Sequence, residues 1–345
     1  MTVRVLQGDC RDVLKTLPDE SVHCVVTSPP YFGLRDYGVA GQIGLEDGPD
    51  AFIAELVAVF AEVRRVLRAD GTAWVNMGDS YNAHPGQRKT TDKVGAKQET
   101  NAGSNTTGSR SIPGLKPKDL IGVPWMLAFA MREAGWYLRQ DIIWSKPNPM
   151  PESVRDRCTK AHEYLFLLAK SERYYFDQDA ILEPVAAATV ERLSQPTIDQ
   201  QAGSDRVPGK TNGPMKAVSR SGNKSKKWGN NESAIRAEGD GEVETQRGVP
   251  WEGSERNKRS VWTVTTQPFK EAHFATFPPA LIEPCILAGC PVGGTVLDPF
   301  GGAGTTGLVA DRHHRNAILI ELNPEYADMA RRRITGDAPL FAEVE

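Results

Sequence analysis

Residues 296–307, Val-Leu-Asp-Pro-Phe-Gly-Gly-Ala-Gly-Thr-Thr-Gly, restrict the possible folds more than any other stretch of the chain. A short apolar run enters a glycine turn, and a helix-forming segment leaves it. Glycine lets backbone turn sharply and approach a ligand, and the first helical turn offers unpaired N–H groups. Glu321 closes the next apolar run. An acidic residue about 20 positions after such a turn can accept from both hydroxyls of a ribose. Gly302, Gly304 and Gly307 also spell GxGxxG, so a dinucleotide oxidoreductase has to be weighed. Two details oppose it. Asp298 opens the turn, where it repels a pyrophosphate and welcomes an ammonium. The remaining C-terminal stretch is too short for the rest of a nicotinamide-binding sheet, unless earlier strands supply it. A turn needed only for packing is the plainer alternative.

The earlier strands are legible. Val3–Leu6, Val22–Thr27, Thr72–Met77, Tyr137–Trp144 and Tyr164–Ala169 read as strands, as do Thr295–Leu297 and Ala317–Ile320. Cys10–Leu17, Trp125–Ala134, Pro279–Leu287, Thr305–Asp311 and Pro324–Arg333 read as helices. Phe52, Leu56, Val59, Phe60, Val63 and Leu67 mark one face of a longer helix, closed by a turn at Asp70-Gly71. Strands alternating with helices predict an α/β, mainly parallel sheet covered on both faces.

Two stretches break the pattern. Residues 84–118 carry almost no apolar side chains and read as a flexible insertion. Residues 186–258 are again polar. Between Gln201 and Ile235 there are seven Lys or Arg against two Asp or Glu, although the whole chain has a net charge of −3. This basic stretch, with Lys224, Lys226 and Lys227 at its centre, is either a solvated linker or a DNA-facing segment that displaces phosphate counterions. Five cysteines without CxxC spacing argue against a disulfide scaffold or a cysteine zinc site, and they fit a reducing cytoplasm. No apolar run reaches the roughly 18 residues of a membrane span. His313-His314 has no carboxylate or cysteine at metal-ligand spacing, so no metal is expected.

A second turn, Val26-Thr27-Ser28-Pro29-Pro30-Tyr31, follows a strand that reads as buried. In open α/β sheets, ligands bind beyond the carboxyl ends of strands. Two prolines stiffen the backbone. The Ser28 hydroxyl and the Pro29 carbonyl are available as acceptors, and Tyr31 offers a flat ring. Two acceptors and a ring suit the exocyclic amino group of an aromatic base: each acceptor takes one N–H and the ring stacks on the base.

Taken together, these turns resemble those of the DNA amino-methyltransferases, which methylate cytosine N4 or adenine N6. Thr27–Tyr31 is similar to the family's catalytic (D/N/S)PP(Y/F) motif, and Asp298–Gly304 is similar to its FxGxG cofactor motif. The catalytic motif comes first, as in the β group, whose target-recognition region lies between the two. The resemblance covers most of residues 1–172 and 260–336. It implies a class I methyltransferase fold, Rossmann-like with permuted motif order. Residues 1–172 would be the catalytic half, 173–259 the target-recognition insertion, 260–336 the cofactor half and 337–345 a tail. It also explains the short C-terminus, since both halves complete one sheet.

The resemblance further implies S-adenosyl-L-methionine as cofactor. Asp298, Pro299, Phe300, Gly301, Gly302, Gly304 and Thr305 would line its site, with Asp298 near the methionine ammonium and Glu321 on the ribose. Asp9 matches the family position near the adenine, although it also reads as an ordinary N-cap for the helix at Cys10. Thr276 and Phe277 lie in the segment His273–Pro278, which resembles the stretch before the cofactor strand. Ser28, Pro29, Pro30 and Tyr31 would be the catalytic residues. Trp144–Pro149 and Lys160–Glu163 resemble segments that wall the target-base pocket. Trp125, Met126 and Phe129 read as core.

The expected activity is therefore site-specific methylation of double-stranded DNA, at cytosine N4 in the first instance and adenine N6 as the alternative. An RNA or protein methyltransferase is a more distant reading. The partner implied is DNA, with a cognate restriction endonuclease possible and the enzyme a monomer or homodimer.

Overall fold

A computed structural model describes residues 1–33, 39, 41–82, 112, 114–193, 255–267, 276–337 and 343–344. The central lysines Lys224, Lys226 and Lys227, most of 84–118 and of 186–258, and His273-Phe274-Ala275 lie outside the described residues. The chain divides into two compact units, one formed by Met1–Ile181 with Arg259–Glu345 and the other by Leu182–Lys258.

The larger unit is built on one nine-stranded sheet. In chain order its elements are β1 (Thr2–Gln7), α1 (Cys10–Thr16), β2 (Val22–Thr27), α2 (Pro49–Val66), β3 (Leu67–Met77), α3 (Val123–Glu133), β4 (Tyr137–Ser145) and β5 (His162–Ala169). In the smaller unit, β6 (Glu183–Pro184) pairs antiparallel with β7 (Glu255–Arg256), and α4 (Ala187–Leu193) follows β6. The larger unit resumes with β8 (Val261–Thr263), α5 (Pro279–Gly289), β9 (Thr295–Asp298), α6 (Thr305–Arg312), β10 (Asn316–Glu321), α7 (Pro324–Asp337) and β11 (Glu343–Val344).

Across the sheet the order is β11-β1-β10-β9-β2-β3-β5-β4-β8. All neighbours are parallel except β3–β5 and β5–β4. The C-terminal half of the chain thus supplies β9 and β10 between β1 and β2. The short segment after the glycine turn needs no further strands of its own, because N-terminal strands flank it.

The sheet is covered on both faces, as its apolar central strands require. One core holds Leu14 of α1, Phe52, Leu56 and Phe60 of α2, and Leu127 and Met131 of α3. The other holds Leu281 and Ile286 of α5, Leu308 and Val309 of α6, and Ala327, Ala330 and Ile334 of α7. Trp125 and Met126 pack partly buried against the first core, whereas Phe129 is exposed. Phe129 therefore is not core: it lies on the outer side of α3, under the guanidinium of Arg132 at 5.1 Å. Among the described residues, no helix is long and apolar enough to cross a membrane.

Two local expectations change. The turn at Asp70-Gly71 lies within β3. Val22 pairs with Leu67, but Cys24 already pairs with Thr72, so the turn residues form an irregularity in the strand. Order also resumes before Asp119. Ile112 is buried, and Asn82 bonds to the Ile112 amide and to the Leu115 and Lys116 carbonyls, tying the end of the polar stretch to the segment that follows β3.

Candidate active site

The two motif turns lie side by side. From β9 the chain crosses through α6 to β10 on one side, and from β2 it crosses through α2 to β3 on the other. The order therefore reverses between β9 and β2, and a crevice opens there beyond the strands' carboxyl ends. Asp298 ends β9 and Thr27 ends β2. The Thr27 hydroxyl donates to Asp298 Oδ1 at 2.6 Å, which also accepts the Phe300 amide at 3.1 Å. The Thr306 hydroxyl lies 2.7 Å from Asp298 Oδ2. The carboxyl is 1% exposed, and burial pushes its pKa up to about 6 despite these donors.

The glycine turn is closely packed at three of its glycines and open at the fourth. Gly304 has φ +78°, and an added Cβ would sit 2.8 Å from the Ala330 Cβ in α7. Gly301 lies against Leu319 and Gly307 against Leu319, Ile334 and Val3, so both let helix and sheet close together. Gly302 has φ +49°, and a Cβ there would meet only the Phe300 carbonyl at 3.9 Å. Glu321 Oε2 accepts the Gly302 amide at 2.7 Å, and Oε1 accepts the Asn323 amide at 2.8 Å. Burial raises the Glu321 pKa above its ordinary value.

Asp9, at the end of β1, borders Glu321: the Gly8 amide donates to the Glu321 carbonyl at 2.9 Å. Asp9 does cap α1, accepting the Arg11 amide at 2.9 Å. Its carboxylate also pairs with the Arg11 guanidinium at 2.5 Å, which holds its pKa below the usual range. Pro299 is buried, Phe300 packs partly buried against the first core, and Thr305 starts α6. Phe277 packs against the second core and Thr276 is half-buried beside it in sequence.

On the other side of the crevice, Pro29 is buried, Ser28 and Pro30 are half-buried, and no described residue donates to the Pro29 carbonyl. The Ser28 hydroxyl faces the Tyr31 phenol. Tyr31 donates to Glu163 Oε2 at 2.7 Å. Burial, followed by the Glu163 charge, drives its pKa well up. Glu163 also accepts the Asn76 side-chain amide at 3.3 Å and pairs with Lys146. The Lys146 ammonium rests 4.1 Å from the Trp144 ring centroid. Lys160 donates to the Asp79 carbonyl at 2.7 Å, and burial lowers its pKa. Gly78 leaves room for the tyrosine, since a Cβ there would lie 2.6 Å from Tyr31 Cε2.

The segments around Lys146 and Glu163 thus converge on Tyr31. Asn76 and Gly78 carry no signal in the sequence, because strand pairing alone brings the ends of β3, β4 and β5 together. Among the described residues, no cluster of His, Cys, Asp or Glu could hold a metal. His313 does have a carboxylate partner, Glu283 at 2.8 Å, brought across from α5 to the end of α6.

Residues 22–332 match the N6/N4 DNA methylase family. The chain belongs to this family. As a DNA amino-methyltransferase of this kind it depends on S-adenosyl-L-methionine. It is 43% identical to the Type II methyltransferase M.Cfr9I of Citrobacter freundii, over 96% of this chain and 88% of that protein. It is 42% identical to the Type II methyltransferase M.SmaI of Serratia marcescens, over 96% and 90%.

Among solved structures, the fold matches PvuII DNA methyltransferase (cytosine-N4-specific) with a TM-score of 0.56, at 18% identity, over 95% of this chain and 86% of that one. It also matches TTHA0409 of Thermus thermophilus, solved complexed with S-adenosyl-L-methionine. That match has a TM-score of 0.54, at 23% identity, over 99% of both chains. The site of this methyltransferase fits the cofactor's chemistry: the open face over Gly302 admits a ligand close to the backbone, and the half-buried Glu321 carboxylate stands beside it on the Gly302 amide.

Proposed function

We propose that this methyltransferase modifies cytosine N4 at specific sites in double-stranded DNA. The observation that carries this reading is the turn Ser28-Pro29-Pro30-Tyr31, with a neutral hydroxyl at its first position and a carbonyl without a described donor at its second. The two N–H bonds of an aromatic amine would go to the Ser28 hydroxyl and the Pro29 carbonyl. Accepting both hydrogens draws the nitrogen toward a tetrahedral geometry and localises its lone pair. Tyr31 would stack on the base, its ring held through Glu163 and packed beside Gly78. Gly302, Glu321 and the turn after Asp298 would hold S-adenosyl-L-methionine, with Asp9, Thr276 and Phe277 around it. That cofactor supplies a methyl group already activated as an electrophile. The remaining task of the protein is to align donor and amine.

The choice of cytosine rests on Ser28. The cytosine amine adjoins the basic ring nitrogen N3. A hydroxyl can accept from the amine and also donate to N3, whereas a carboxylate at this position only accepts. The target amine lies inside a duplex, so the base has to be flipped out, at a cost of a few kcal/mol. The basic stretch around Lys224, Lys226 and Lys227 would meet the DNA backbone. The 43%-identical relatives are named Type II methyltransferases, and we place this chain in a restriction-modification system on the same footing.

The test is incubation with labelled S-adenosyl-L-methionine and DNA, RNA or protein, followed by mass spectrometry of nucleosides from the labelled DNA. N4-methylcytosine is the expected product. N6-methyladenine alone would overturn the base and keep the fold and cofactor. Label in RNA or protein only would overturn the substrate.

A further inference from the structure

The backbone ladder between β2 and β9 is short. It pairs Cys24 with Val296 and Val25 with Leu297, and the paired register ends there. Beyond it the crevice opens, and three side chains take over. Thr27 Oγ1 reaches Asp298 Oδ1 at 2.6 Å, and Thr306 Oγ1 stands 2.7 Å from Asp298 Oδ2 and 3.3 Å from the Val26 carbonyl. All three are nearly solvent-free, with Thr27 at 1% and Thr306 at 0% exposure. Thr27 immediately precedes Ser28, and Asp298 immediately precedes the turn that leads through Phe300 to Gly302. One carboxyl therefore joins the last residue before the base-binding turn to the first residue of the cofactor turn. The resemblance assigns Asp298 to the cofactor alone, yet its oxygens already serve this bridge.

We propose that Thr27 is a positioning residue which, through Asp298, fixes the catalytic turn against the cofactor turn, so that the rate of methyl transfer depends on it more than the affinity for either ligand does. The inference rests on the methyltransferase reading. In-line transfer between two separately bound partners is sensitive to their separation, and a misplacement of about 1 Å can cost roughly 100-fold. Valine at position 27 keeps the shape and removes the donor, leaving Asp298 Oδ1 with the Phe300 amide alone.

The experiment compares wild type, Thr27→Val, Thr27→Ser and Thr306→Val. Single-turnover methyl transfer to unmethylated phage DNA is measured at saturating S-adenosyl-L-methionine, and S-adenosyl-L-homocysteine affinity is measured by calorimetry. Thr27→Val should lose about tenfold or more in rate, within the range that misalignment produces, with homocysteine-product affinity within about threefold. Thr27→Ser should recover most of the rate, because it retains the hydroxyl. Thr306→Val breaks the same carboxyl from its other oxygen and should repeat the pattern, which keeps the test available if one variant folds poorly. A Thr27→Val rate within about twofold of wild type overturns the inference. So does a loss that shows wholly as weaker cofactor-product binding, or a Thr27→Ser variant as slow as the valine. Absence of transfer by the wild type would instead overturn the methyltransferase reading itself.

Discussion

Asp298 is a carboxyl held in the molecule's interior, and its protonation is tied to folding. Its pKa is about 6 in the folded chain, against an ordinary 3.8, because burial outweighs the three donors. A raised acid stabilises the fold fully below its unfolded pKa, and that contribution is lost as pH rises through the folded value. Asp298→Asn removes this dependence. The unfolding free energy of the variant relative to wild type, measured in urea, should therefore rise by about 2 kcal/mol between pH 4 and pH 7, at 1.36 kcal/mol per unit. A difference that does not change with pH would show Asp298 to titrate as an exposed carboxyl. At Tyr31, two changes separate stacking from structure. Tyr31→Ala should remove about 1–3 kcal/mol of base stacking and slow methylation, with S-adenosyl-L-methionine affinity unchanged. Gly78→Ala should do the same by pushing the ring aside, since the added Cβ falls 2.6 Å from Cε2. Cofactor binding lost in parallel with methylation would reassign this turn to structure. Ser28, Tyr31, Asp298 and Glu321 are visible in the sequence as motif residues. The bonds of Glu163 and Asn76 to Tyr31, of Thr27 to Asp298 and of Lys146 to Glu163 are contacts that only spatial neighbours define.

Helices and strands follow their apolar periodicity closely, with most ends within one or two residues of the expected ones. The exceptions have local causes. Asp70-Gly71 reads as a turn, yet β3 continues through it because the neighbouring strand skips ahead in register there. The end of the polar stretch 84–118 is ordered through Ile112 and Asn82, a contact between residues 30 apart. At this scale the glycine turn is also a packing device. Gly304 adopts a left-handed φ and touches α7, so Gly304→Ala combines backbone strain with a clash against Ala330. It should lower stability by about 1–3 kcal/mol, the usual cost of a non-glycine residue forced into such a position. Chemical denaturation of the variant without ligand checks this, and wild-type stability would mean that α7 shifts freely.

At the scale of the whole molecule, charge bears on how DNA is gripped. The net charge of −3 conceals the basic stretch between Gln201 and Ile235. If Lys224, Lys226 and Lys227 meet phosphates, replacing all three by glutamine should weaken DNA binding. It should also flatten the dependence of log affinity on log salt, by a slope of about 0.9 for each phosphate no longer neutralised. A slope equal to that of wild type would make the stretch a solvated linker. Binding of S-adenosyl-L-homocysteine should be unaffected in either case.

The amino-acid sequence by itself determined the α/β alternation, the two turns and the family, because these depend on short-range spacing: glycines that permit a left-handed backbone, prolines that stiffen one, and apolar runs of strand length. The tertiary structure decided what those turns are to each other. Residues 27 and 298 are 271 positions apart, and only the insertion of β9 and β10 between β1 and β2 makes them hydrogen-bonded neighbours. Likewise Tyr31 and Glu163 meet because β5 runs antiparallel to β3, which brings the start of one strand to the end of the other. Periodicity encodes which face of an element is buried. It carries no record of which strand lies alongside, and the partner of each buried polar group follows from that adjacency.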